Sequence, residues 1–128
     1  MTKYRNKTLT YKGLYFPSTL ECNTYQVLEK VDIIRQIQCQ YSIKLTPSIS
    51  WVVDFKVSTR SNLFFIESKG MITQTFRLKY RLLVDFHPDV ISNLILVVGS
   101  ARTLKKVRKL HDQSVTLVEL DNFLQARE

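Results

Sequence analysis

Residues 51–69, WVVDFKVSTRSNLFFIESK, decide how this chain folds. β-Branched and aromatic side chains fill 51–57 and 63–66, and the polar STRSN between them has the composition of a hairpin connection. The two strands so predicted carry Asp54, Glu67 and Lys69 between them. Side chains alternate along a strand, so Glu67 and Lys69 project to one face and Ser68 to the other. Antiparallel pairing through a turn near 59–61 sets Asp54 opposite Glu67 or Ser68, whereas a one-residue slip would turn it to the wrong face. Two carboxylates and an ammonium at the end of an apolar hairpin are costly to bury unpaired. They suit a hard divalent cation with a polarised water.

Upstream, Ser18 and Glu21 have capping-box spacing, and Leu20, Thr24, Val27, Leu28 and Val31 recur at helical intervals. A helix over 19–30 is expected. Glu21 has two readings. Its carboxylate folds back onto the cap backbone, or, lying in the row of Tyr25 and Leu28, it looks inward toward the hairpin site. Residues 36–45 alternate as a half-buried strand, with Ile37, Cys39, Tyr41, Ile43 and Leu45 on one face and Gln36, Gln38, Gln40, Ser42 and Lys44 on the other. That glutamine face reads as solvent-exposed, or as amides that bond phosphates or an adenine edge.

After Gly70 a basic amphipathic helix is expected over about 73–86, with Phe76, Leu82, Leu83 and Phe86 apolar and Arg77, Lys79 and Arg81 charged. Its cations are either an ordinary solvated face or a phosphate clamp beside Lys69. His87, before Pro88 at the helix exit, reads as structural. Residues 94–98, LILVV, form a central strand covered on both faces. A further helix carries Arg102, Lys105, Lys106, Arg108 and Lys109 over apolar Leu104, Val107 and Leu110. A strand over 115–120 and a short helix capped by Asp121 close the chain.

The 128 residues suffice for one domain, and 45% hydrophobic with 23% charged residues is a globular composition. A net charge of +8 predicts a polyanionic partner. Lys3, Arg5, Lys7 and Lys12, interleaved with Tyr4 and Tyr11, give residues 1–13 the look of a basic arm. Cys22 and Cys39 read as reduced packing residues, and no apolar run is long enough to span a bilayer, so a cytoplasmic protein that is neither secreted nor membrane-spanning is expected. A Gly-rich phosphate loop and a Cys/His zinc cluster are both absent from the sequence.

A glutamate on an amino-terminal helix (FPSTLE), VDF on a strand, then FIESKG and FHPDVISNLILVVGSARTLKK, resembles the PD-(D/E)XK nuclease superfamily over about residues 13–105. Within it, the pattern is most similar to phage endonuclease I type Holliday-junction resolvases, and also to small phage-type homing or restriction-like nucleases. The proline often found before the aspartate is Val53 here. The resemblance implies a restriction-endonuclease-like α/β (α+β) single domain, a mixed central sheet flanked by helices. It implies a Mg²⁺-dependent endodeoxyribonuclease of a bacterial or phage-infected cell, with Mn²⁺ able to substitute and no organic cofactor. Asp54 and Glu67 would be metal ligands, the Ser68 carbonyl a third, Glu21 would complete the site, and Lys69 would orient and polarise the attacking water. DNA, as junction or duplex, would be held by Arg77, Lys79, Arg81, Arg102, Lys105 and Lys106, and a homodimer or higher oligomer would supply the second cut. Three alternatives stand beside this reading: a non-catalytic nucleic-acid-binding module, an RNA substrate, and a membrane-surface or protein-partner module using 102–109.

Overall fold

In a computed structural model that describes residues 9–128, the two apolar runs around the 59–62 turn form the centre of a five-stranded sheet. Leading into that sheet are a small hairpin, β1 (Leu9–Tyr11) and β2 (Leu14–Phe16), and helix α1 (Thr19–Lys30). The sheet then follows as β3 (Gln36–Lys44), β4 (Ser50–Ser58) and β5 (Leu63–Ser68). Helices α2 (Gln74–Phe86) and α3 (Pro88–Ser92) cross over to β6 (Leu94–Val98), and α4 (Ala101–Val107) to β7 (Ser114–Thr116). A single 3₁₀ turn, Leu117–Glu119, leads into α5 (Leu120–Arg127).

Strand order is β3-β4-β5-β6-β7, antiparallel through β5 and parallel beyond it. The domain is therefore a single α+β unit built on a mixed sheet. One face packs Leu28 of α1 and Leu120 and Leu124 of α5 against Phe55, Ile66, Ile95 and Val97. The other packs Phe76 and Leu83 of α2, Val90 of α3, and Leu104 and Val107 of α4 against Phe65, Leu94, Leu96 and Val98. All five residues of β6 are buried, as a strand with helices on both faces requires. Among the described residues no helix is long and apolar enough to cross a membrane.

The sheet is not regular throughout. Phe55 and Val57 pack on the α1 face, whereas Trp51 and Val53, in the same alternation, pack on the α2 face. β3 divides likewise, with Ile37 and Cys39 against the first core and Tyr41 and Ile43 against the second. A regular strand keeps residues two apart on one face, so the β3–β4 pair crosses the sheet plane at Gln40 and Asp54. Gln40 has φ +56°, the left-handed conformation that redirects a strand, and the ladder lacks a Gln40–Asp54 pair. The single apolar face expected for 36–45 is therefore two half-faces.

Four further expectations change. Residues 9–13 belong to the β1–β2 hairpin, turned by Lys12 (φ +52°) and Gly13 (φ +80°), as a two-residue primed turn demands. Tyr11 and Lys12 are tied to Glu29 at 2.9 and 3.0 Å, which removes them from any basic arm. Lys3, Tyr4, Arg5 and Lys7 lie outside the described residues. The expected 115–120 strand stops at Thr116, because Thr116 and Glu119 close a capping box that starts helical structure there; Asp121 caps nothing. Phe86, expected in the apolar stripe of α2, is exposed.

Candidate functional site

The last pair of the β4–β5 ladder is Phe55–Ile66. Beyond it the strands are joined through side chains. Glu67 Oε1 accepts the main-chain N–H of Asp54 at 3.0 Å, and Asp54 Oδ2 accepts that of Ser68 at 2.8 Å. Two carboxylates thus satisfy two backbone donors that the splaying of the strands would leave bare. β5 stays anchored on its other side, where Lys69 N–H donates to the Val97 carbonyl at 2.8 Å.

Lys69 Nζ stands 3.5 Å from Glu67 Oε2 and 4.4 Å from the centre of the Phe76 ring. Glu67 and Lys69 therefore share the α2 face, as alternation required. Ser68 points to the opposite face and donates its hydroxyl to Thr24 Oγ1 of α1 at 2.9 Å. Thr24 in turn donates to the Leu20 carbonyl at 2.7 Å, which fixes the first turns of α1 against the end of β5.

Glu21 arrives from that helix. Ser18 caps it, accepting the Glu21 main-chain N–H at 3.1 Å, but the Glu21 carboxylate does not fold back. It is buried and accepts from Gln40 Nε2 at 2.6 Å, at the place where β3 crosses the sheet. The capping-box role of this side chain is not realised, and its inward orientation is. Gln40 was hidden in the sequence among three alternating glutamines, and nothing in that pattern marked it out.

Glu21, Asp54 and Glu67 are 5%, 9% and 6% exposed. Among the described residues Lys69 is the one cation paired with them, so full ionisation would bury two excess negative charges. Burial raises the pKa of all three carboxyls. Glu21 is pushed up to about 7 by desolvation and then by the charge of Asp54. Desolvation lifts Asp54 to about 6 against the pull of the Ser68 N–H and Lys69, and Glu67 to about 8, with Asp54 adding to the rise. Such a cluster is content at neutral pH with protons or with a bound cation, and carboxylate oxygens are the donors that hard divalent ions take. Among the described residues no three acidic, His or Cys groups stand at the spacing of a formed metal cage. Both oxygens of Glu67 are engaged, by the Asp54 N–H and by Lys69. No protein hydrogen bond among the described residues reaches Asp54 Oδ1 or Glu21 Oε1, and neither atom is sealed from solvent.

The six cations singled out by their sequence positions are divided between α2 and α4. Arg77 lies in the first turn of α2 and Lys106 near the end of α4, facing the segment after Lys69. Arg81 pairs with Asp85 at 3.8 Å, Lys79 is half-buried, and Arg102 and Lys105 are exposed on α4. His87 donates to the Lys44 carbonyl at 2.7 Å, the structural role expected of it. Cys22 and Cys39 are both free.

A family model described as "Protein of unknown function (DUF1064)" matches residues 1–108, a span that holds Glu21, Asp54, Glu67 and Lys69 together with α2 and α4. No curated protein and no solved structure matches the chain.

Proposed function

We propose that this chain, which belongs to the DUF1064 family, is a divalent-metal-dependent endodeoxyribonuclease with a PD-(D/E)XK-like site. The observation that carries the reading is the mutual bonding of Asp54 and Glu67 across the split end of two strands, with Lys69 against Glu67 and buried Glu21 beside them. A structural role alone would favour apolar side chains at positions this deeply buried, because carboxylates there resist ionisation.

The donor set fits Mg²⁺, with Mn²⁺ as a substitute. Asp54, Glu67 and the main-chain carbonyl of Ser68 would hold the ion, with Glu21 completing the set. When bound, the ion neutralises charge on the phosphodiester and makes a water a better nucleophile. Lys69 supplies a fixed positive charge beside Glu67. It orients the attacking water and stabilises negative charge that develops on the phosphoryl oxygens. The Phe76 ring under its ammonium and Glu67 beside it restrict where that charge can go. Gln40 holds one Glu21 oxygen and leaves the other free to take a ligand or a proton.

The net charge of +8 favours a nucleic-acid substrate, and the order of motifs favours a junction-selective enzyme of the phage resolvase type acting in the cytoplasm as a homodimer. A homing or restriction-like specificity is the second reading. The test is a paired digest with purified protein and Mg²⁺. A resolvase cuts a synthetic four-way junction in preference to linear duplex, whereas a site-specific enzyme leaves one discrete cut in a long random duplex. Absence of cutting on junction, duplex and single-stranded DNA, with binding retained, would replace the enzyme with a non-catalytic nucleic-acid-binding module.

A further inference from the structure

Immediately after Lys69 the chain runs along the wall of a groove between α2 and α4. Two adjoining cavities of about 380 and 320 Å³ share Ile72, Arg77 and Lys106, so they are two parts of one cleft. Gly70 and Thr103 line the end nearer Lys69, and Lys109 the end farther from it. Lys69 and Gly70 are consecutive, so the cleft begins one residue from the proposed reacting centre. Its position is fixed from behind, where Tyr80 of α2 bonds the Leu110 carbonyl at 3.2 Å and His111 Nδ1 at 2.8 Å.

The electrostatics of the groove lack a counterpart. Among the described residues none of Arg77, Lys106 and Lys109 forms an ion pair, although Lys12, Lys69 and Arg81 do. Arg77 also sits in the first turn of α2, which contains no acidic residue. A cation at that end of a helix is opposed by the helix dipole, and the arrangement is relieved by an anion between them. Lys106, across the groove, adds a second charge to the same space.

We infer that the α2–α4 groove is a subsite for one phosphate of the nucleic-acid backbone next to the scissile one, gripped jointly by Arg77 and Lys106. The inference rests on the nuclease reading for the identity of the strand. It divides the basic surface: Arg77 and Lys106 hold one phosphate in common, whereas Arg102 and Lys105, outside the groove, contribute at most a diffuse field. Arg77 suits this place because its guanidinium presents two parallel donors to phosphate oxygens.

Counterion release provides the test, because the slope of log affinity against log salt counts phosphates neutralised, at about 0.9 per phosphate on duplex DNA. Binding of the full chain to a labelled four-way junction and to duplex is measured in EDTA over a series of salt concentrations. Arg77→Gln and Lys106→Gln are each expected to weaken binding by about tenfold, the scale of a charge-assisted hydrogen bond, and to lower the slope by about one. The double variant is expected to lower it by about one as well, because both side chains serve the same phosphate. Arg60→Gln, in the turn at the opposite end of β5, is the control and should change neither.

A double variant whose slope falls by about two means two separate contacts and overturns the shared subsite, as does a double variant with no change. Stabilisation of the wild type by inorganic phosphate, lost in Arg77→Gln while the DNA slope is unaltered, makes the groove a small-anion site and also overturns it. Cleavage with Mg²⁺ is read separately. The expected slopes without any cutting would refute the nuclease reading and leave the groove as a backbone-phosphate site.

Discussion

Glu67 Oε1 accepts the main-chain N–H of Asp54 at 3.0 Å, so the side chain that would bind metal also completes the backbone bonding of its neighbouring strand. Gln at position 67 keeps that acceptor and Ala does not. Leaving a buried N–H unpaired costs about 1–3 kcal/mol. Glu67→Ala should therefore unfold at lower urea than Glu67→Gln by about that amount at pH 8 in EDTA, while both lose cleavage. Equal stability of the two would deny the bond its structural role.

The three raised carboxyls give the metal-free protein a definite pH dependence. Burial raises them in the folded state to about 7, 6 and 8 for Glu21, Asp54 and Glu67, above the ordinary carboxyl values of 4.5, 3.8 and 4.5. The folded state therefore binds protons more tightly than the unfolded one, and the stability this adds is full below about pH 4 and lost as pH rises toward 8. His111, lowered by burial, works in the opposite sense at acid pH, so the comparison must be between variants. Thermal melts of wild type minus Glu67→Gln should show wild type losing ground steadily from pH 5 to pH 8. Mg²⁺ at pH 8 should restore the loss in wild type and do little for Glu67→Gln. A difference that does not vary with pH would mean that Glu67 is ionised throughout.

The hairpin was legible in the sequence because two apolar runs flank the polar STRSN, but its register was not: the sequence allows Asp54 opposite Glu67 or Ser68, and the Phe55–Ile66 pair sets it against Glu67. Ser18 and the 19–30 periodicity were legible for the same local reason, namely that capping and helical spacing lie within four residues. The crossing of the sheet at Gln40 and Asp54 was not. Alternation continues unbroken through 36–45, and only tertiary packing turns half of it over. Gln40 consequently read as surface, although it holds Glu21. The last strand is shorter than Val115, Leu117 and Val118, which favour β structure, lead one to expect. The Thr116–Glu119 capping spacing that ends it was present in the sequence and outweighs that preference.

Cap and site can be separated on α1. Ser18 Oγ accepts the Glu21 main-chain N–H, while the Glu21 carboxylate bonds Gln40. Ser18→Ala should cost about 1 kcal/mol of stability and leave cleavage per folded molecule unchanged. Glu21→Gln should leave the helix intact by circular dichroism and slow cleavage. Gln40→Ala should give an intermediate loss, since it frees the Glu21 carboxylate without removing it. Full activity in Glu21→Gln would confine the site to Asp54, Glu67 and Lys69.

Both histidines donate a ring N–H to a main-chain carbonyl, and both lie outside the Asp54, Glu67 and Lys69 cluster. His87 Nε2–H donates to the Lys44 carbonyl at 2.7 Å, and His111 Nε2–H to that of Leu94 at 2.7 Å, which leaves His111 Nδ1 to accept from Tyr80. Burial lowers the pKa of His111 and keeps its ring neutral in this arrangement. His111→Ala should lose about 1–3 kcal/mol by urea denaturation, because a buried ring bonded through both nitrogens, to the Leu94 carbonyl and the Tyr80 hydroxyl, is removed. His87→Ala should lose less, its ring being half-exposed. Both variants, assayed below their melting temperatures, should keep kcat near wild type. A positioned general base is worth about a hundredfold or more in rate, so a loss of that size in folded His87→Ala or His111→Ala would assign proton transfer to that ring and take it from the carboxylate–lysine cluster.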